Sequence, residues 1–213
     1  GSPEDHAANL ELLIDHLNLQ EINLVVHDFG GPIGLSYAVD HPDHINRIII
    51  FNTWLWETKD EKEVLKIDKL INSWLGKMLY LNLNVSPKML LKQGFYDKNN
   101  LTKAVHKHYI KPFPTKDSRY GLLRVGQSLL GSSDWYGSLW SKVDLLKSKP
   151  VLIVWGNEDK FFKAKDLDKW VRKLTAADSH QLDAGHFVME EQPEQCLELI
   201  QEFLKKTNQT ISH

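Results

Sequence analysis

A single cysteine, Cys196, among 213 residues rules out an internal disulfide and fits a reducing compartment. No apolar run reaches the roughly 18 residues of a membrane span, and no basic-then-apolar leader opens the chain. A cytoplasmic location away from membranes is therefore expected. The net charge is −2, with acidic and basic residues interleaved, so the chain lacks the electrostatic footprint of a nucleic-acid binder. Repeats and low-complexity stretches are missing too. What remains, 42% hydrophobic and 25% charged, is an ordinary globular composition long enough for one substantial core.

Periodicity then orders the chain. Leu10, Leu13, Ile14 and Leu17 recur at helical spacing over His6 to Leu17, and Ile22 to Val26 reads as a strand leading to Asp28. A helix follows over Gly34 to Val39, His41-Pro42-Asp43 breaks it, and Arg47 to Phe51 reads as a buried parallel strand. From 55 to 140 the pattern becomes helical fragments crowded with Lys, Trp, Tyr and Leu, interrupted by Ser86-Pro87, Gly94 and Pro112-Phe113-Pro114. Strand-and-helix alternation resumes with Pro150 to Gly156, a helix through Leu167 to Leu174, a short strand over Ser179 to Leu182 and an amphipathic helix over Pro193 to Leu204, with a frayed tail from Lys205. The reading is an α/β fold, a parallel sheet flanked by helices with an inserted helical cap. It divides into core residues 1–54, cap residues 55–140 and core residues 141–213.

Ligands of open parallel sheets bind beyond the carboxyl ends of the strands. Asp28, Asp159 and His186 each follow a predicted strand. In His27-Asp28-Phe29-Gly30-Gly31 the chain turns sharply from strand to helix, and glycine after the apex permits close backbone approach. An aspartate at that apex is ionised at neutral pH and nucleophilic without a base. The ester it forms needs an activated water for its hydrolysis, and hence a histidine. The plainer readings are a turn aspartate capping the next helix for Asp28, a helix cap for Asp159, with Glu158 and Asp166 as neighbouring acids, and a polar loop residue for His186. His106 and His108 have no third ligand nearby, Cys196 fits as a small buried side chain, and neither metal nor organic cofactor is called for.

The segments HDFGG (27–31), WGNEDKFF (155–162) and AGHF (184–187), in the order nucleophile, acid, histidine, resemble the haloalkane dehalogenase and epoxide hydrolase branch of the α/β-hydrolases. The cap segments His106 to Pro114 and Ser133 to Tyr136 are most similar to dehalogenase-like members. The resemblance implies Asp28 as nucleophile, His186 as the base that activates water and Asp159 as its orienting acid. It also implies an apolar organic substrate and an oxyanion or halide site, for which the backbone N–H of Phe29 and the side chain of Asn52 are the candidates. Trp54, Tyr109, Phe113, Trp135 and Phe187 are candidate pocket residues, although aromatics of this kind mostly pack helices. The expected activity is carbon–halogen hydrolysis. Epoxide hydrolysis, in which two cap tyrosines activate the oxygen, is the alternative, and a non-catalytic or partner-dependent half of a hydrolase is a third reading.

Two features depart from the resembled pattern. The residue after the nucleophile is usually tryptophan in haloalkane dehalogenases, whereas Phe29 has no ring donor. Members of the branch also begin with further strands and an oxyanion loop, which leads to the expectation that the strand before Asp28 is an apolar edge, and that either a second copy or another chain covers it or the sequence is a truncated product.

Overall fold

The computed structural model describes residues 1–211, and side chains through residue 208. Helix α1 (Pro3–Leu17) starts at a capping box, in which Ser2 accepts from the Asp5 backbone N–H and the Asp5 carboxylate accepts from that of Ser2. It ends where Asn18 enters the left-handed region. Strand β1 (Ile22–Val26), helix α2 (Gly30–Asp40) and strand β2 (Ile45–Phe51) follow. Helices α3 (Lys62–Asn72), α4 (Trp74–Leu81), α5 (Leu91–Gly94), α6 (Lys103–Ile110), α7 (Lys116–Gly131) and α8 (Ser133–Lys142) come next, with a π-turn at Ser86–Leu90 before α5. The chain then returns through β3 (Val151–Gly156), α9 (Ala164–Lys173), β4 (Asp178–Leu182), α10 (Val188–Glu191) and α11 (Pro193–Ile211).

The four strands form one parallel sheet in the order β1-β2-β3-β4. Their pleat sorts side chains to the two faces with period 2. Ile48, Ile50, Ile153 and Trp155 join one core with residues of α2, α8 and α9, while Ile49, Phe51, Leu152 and Val154 join another against α10 and α11. Both faces are covered, which is why β2 and β3 are continuous apolar runs rather than alternating ones. A smaller cluster of Ile71, Leu81 and Leu123 holds α3, α4 and α7 together. Helix α8 belongs instead to the main core, where Tyr136 and Leu139 pack.

The frayed tail expected from Lys205 is not seen: α11 continues helical through Ile211. The cause is Arg47 on β2, whose guanidinium donates to Thr207 and Asn208 on α11 and, at 3.1 Å, to Asn23 on β1. Strand β1 pairs only with β2 among the described residues, and Val25 on it is 56% exposed.

Candidate active site

Asp28 sits at the bend between β1 and α2 with φ of 50°, in the left-handed region that a non-glycine residue rarely occupies. Surrounding bonds hold it there. Its N–H donates to the Asn52 carbonyl at 3.0 Å, its carbonyl accepts from Gly31 N at 2.9 Å and from the Thr53 hydroxyl at 2.5 Å, and Gly30 N closes onto His27 O at 2.8 Å. Gly31 is required because a Cβ there would lie 1.9 Å from Thr53 Oγ1. The bend leaves the Asp28 carboxylate at the carboxyl end of the sheet, 41% exposed.

His186, buried on the loop between β4 and α10, reaches the same point. Its Nε2 lies 3.8 Å from Asp28 Oδ1, an ion-pair rather than a hydrogen-bond distance, and its Nδ1 is 2.8 Å from Asp159 Oδ2. The Asp159 side chain is wholly buried. Its second oxygen accepts from Phe161 N at 2.7 Å, and Asn52 Nδ2 adds a bond of 2.9 Å to Oδ2. The structure thus brings Asp28, His186 and Asp159 together from the ends of three different strands.

Charge follows from this geometry. Burial pushes the His186 imidazole down, but the bond to Asp159 and the Asp28 carboxylate outweigh it and raise the pKa to about 9. Burial pushes the Asp28 carboxyl up, but the facing imidazole more than offsets this and holds it below its ordinary value, with the Phe29 backbone N–H adding to the effect. The free site is therefore a carboxylate facing an imidazolium at neutral pH.

The Asn52 amide is committed elsewhere than the oxyanion role expected of it. Nδ2 donates to Asp159 and to the Gly156 carbonyl at 3.1 Å, and Oδ1 accepts from Gly156 N at 2.8 Å. With both amide hydrogens used, Asn52 is a positioning residue for the acid. The five pocket candidates separate as well. Phe187 stands with its ring centroid 5.0 Å from that of His186, and Trp54 packs edge-on to Phe29 at 4.9 Å and stacks on Phe162 at 5.4 Å. The Trp54 indole N–H is buried with no acceptor among the described residues. Tyr109 touches Phe187 but donates its hydroxyl to Glu190. Phe113 lines a groove on the cap, and Trp135 lines a pocket at the junction of α1, α2 and α8.

Three site residues carry no signal in the chain's periodicity. His27 Nε2 bonds the His186 carbonyl at 2.8 Å, and the two rings lie 4.4 Å apart. Burial and the charge on His186 lower the His27 pKa to about 4, so it stays neutral and donates. Thr53 anchors the bend. Glu191 is buried and accepts from Gly185 N, Tyr96 N and Asp97 N at 2.8, 3.1 and 2.8 Å, tying the cap to the histidine loop. Only the local segment His27-Asp28 hinted at the first of them.

The model of the alpha/beta hydrolase fold family matches residues 2–193. The chain belongs to the α/β-hydrolase family. Among curated α/β-hydrolase relatives, the cis-3-alkyl-4-alkyloxetan-2-one decarboxylase of Shewanella oneidensis is 32% identical over 207 residues, covering 93% of this chain and 65% of that protein. Haloalkane dehalogenase 2 of Mycobacterium tuberculosis is 26% identical over 197 residues, covering 90% of this chain and 67% of that one. The chain thus spans about two thirds of the length of these relatives. In structure, this α/β-hydrolase family member superposes on the haloalkane dehalogenase DatA of Agrobacterium tumefaciens with a TM-score of 0.83 at 22% identity, covering 96% of this chain and 73% of that one. That likeness concerns the fold.

Proposed function

We propose that this hydrolase-fold chain supplies the reacting residues for hydrolysis through an aspartyl ester, with a haloalkane as substrate. The observation that carries the reading is the 3.8 Å approach of the Asp28 carboxylate to an imidazole whose far nitrogen is fixed by a buried acid. Asp28 attacks the carbon bearing the halogen, the C–O bond forms as the carbon–halogen bond breaks, and halide departs. Esterification removes the negative charge that helped hold His186 protonated. The imidazole pKa then falls, the ring releases its proton, and neutral Nε2 takes a proton from water as that water attacks the ester carbonyl. Asp159 stabilises the imidazolium that results. The imidazolium returns that proton to the departing alkoxide oxygen, alcohol leaves, and Asp28 returns to a carboxylate carrying one oxygen from water.

Halide needs donors. Phe29 brings none in its ring, so the uncommitted indole N–H of Trp54 is the candidate. Trp54→Phe should then slow bromoalkane turnover by about a hundredfold or more, since losing one such donor typically costs about 2.7–4 kcal/mol of barrier. An unchanged rate would remove Trp54 from the site.

Phe29 also favours a second reading, opening of a four-membered lactone of the type named for the Shewanella relative. There the leaving carboxylate stays tethered to the substrate, so no halide donor is required. Asp28 attacks the saturated ring carbon bonded to the ring oxygen, breaking that C–O bond and freeing the carboxylate, and loss of CO2 from it then forms the alkene as the bond to Asp28 breaks. Epoxide hydrolysis finds less support, because the hydroxyls of Tyr109 and Tyr136 donate to Glu190 and to the Ser128 carbonyl. Incubation with a short bromoalkane, a dialkyl oxetanone and styrene oxide separates the three. Halide release supports the proposal, whereas CO2 with alkene, or diol alone, replaces it.

A further inference from the structure

Residues 73–124 hold ten Lys and Arg against two acids, Asp97 and Asp117, in a chain whose net charge is −2. The whole-chain average behind the expectation of interleaved charge conceals this segregation. Helix α6 concentrates it. Lys103, Lys107, Ile110 and Lys111 fall at i, i+4, i+7 and i+8 and so form one stripe, and no acidic residue lies in the helix. Like charges at i,i+4 destabilise a helix by about 0.2–0.5 kcal/mol per pair, and α6 with its C-cap Lys111 carries two such pairs. Among the described residues, Lys88, Lys103, Lys107 and Lys111 form no ion pair.

The stripe faces a groove of about 510 Å³, within the range of small-molecule sites. Ile110, Phe113 and Pro114 provide its apolar surface, and the four lysines line it from α6 and from the π-turn. Arg119 fixes the wall by donating to the carbonyls of Phe113, Leu81, Asn82 and Pro114, at 2.8–3.2 Å, which keeps its charge beside the groove. His106 is similarly spent on the Pro87 carbonyl at 2.8 Å. A cation-rich rim over an apolar floor selects an anionic head with a hydrocarbon tail. We propose that this groove binds an alkyl carboxylate or alkyl phosphate, its head among Lys103, Lys107 and Lys111 and its chain against Ile110 and Phe113. The anion cancels the repulsion that α6 otherwise carries along its own length. Tyr109, on the same helix, does not line the groove and packs instead against Phe187.

The test is calorimetric titration of the full chain with decanoate below its micellar concentration. Arms with decyltrimethylammonium, inorganic phosphate and phosphatidylglycerol vesicles run alongside. Expected are saturable decanoate binding that weakens as salt is raised, a loss of about tenfold or more in Lys103→Glu/Lys107→Glu/Lys111→Glu, and no change in Asp28→Asn. Lys107→Gln relieves both like-charge neighbours and so keeps the fold. It should weaken decanoate by about threefold while raising the melting temperature. Equal binding of the ammonium or of phosphate alone, binding to vesicles but not to monomeric decanoate, or sensitivity to Asp28→Asn instead of the lysines would each overturn the assignment.

Discussion

At the scale of residues, the account rests on charge traded between Asp28, His186 and His27. His186 has its pKa raised to about 9 by its two carboxylates, against burial. In Asp28→Asn one carboxylate is gone, and histidine NMR titration should find the imidazole pKa clearly below 9; an unmoved value would contradict the mechanism by which the ester switches its base on. The same shifts act on stability. A histidine with a raised folded pKa contributes fully below the unfolded value of about 6.5, and that contribution is lost as pH rises through about 9. His27, lowered to about 4, does the reverse: its contribution is full above about 6.5 and falls as pH drops through 4. Replacing it with glutamine, which keeps a side-chain donor for the His186 carbonyl, should flatten the melting temperature between pH 6.5 and 4. A slope identical to the parent protein would show that His27 is not kept neutral.

At the scale of elements, the bend after β1 and the loop before α10 hold Asp28 and His186, the groups proposed to react, and each is secured by a contact distant in sequence. Gly31→Ala drives a methyl into Thr53, at an expected cost of about 1–3 kcal/mol and with loss of turnover, because the bend carries Asp28. Glu191→Ala leaves three backbone N–H groups of the cap and histidine loops without their carboxylate, at about 2–3 kcal/mol in denaturant titration. A loss below about 0.5 kcal/mol would mean that the tie is dispensable. These long-range ties also mark the limit of reading elements from the chain alone. Strands β2 and β3 were legible because sheet burial on both faces demands unbroken Ile and Val runs, and the apex aspartate was legible through its glycines. The length of α11 was not, since Arg47 grips it from 160 residues away. The task of Asn52 was hidden for the same reason, its partners lying 104 and 107 residues on. Aromatic content flagged Phe113 and Trp135, yet content does not tell which side of a helix a ring occupies, and both line surfaces other than the one that joins Asp28, His186 and Asp159.

At the scale of the whole molecule, two surfaces stand apart from the sheet's covered faces. One is the lysine groove of the cap. The other is the β1 edge, with Val25 exposed on the strand. An edge strand open on one side among the described residues invites pairing with another strand. This chain by itself should therefore associate as its concentration rises in size-exclusion light scattering, and a single monomeric mass across the range would count against that use of the edge. Among the described residues no helix is long and apolar enough to cross a membrane. The central claim, however, concerns one oxygen atom. A single turnover of a bromoalkane in oxygen-18 water, followed by mass analysis of the peptide containing Asp28, tests it most directly. The account predicts one labelled oxygen in that side chain, while turnover with halide release and an unlabelled Asp28 would contradict it.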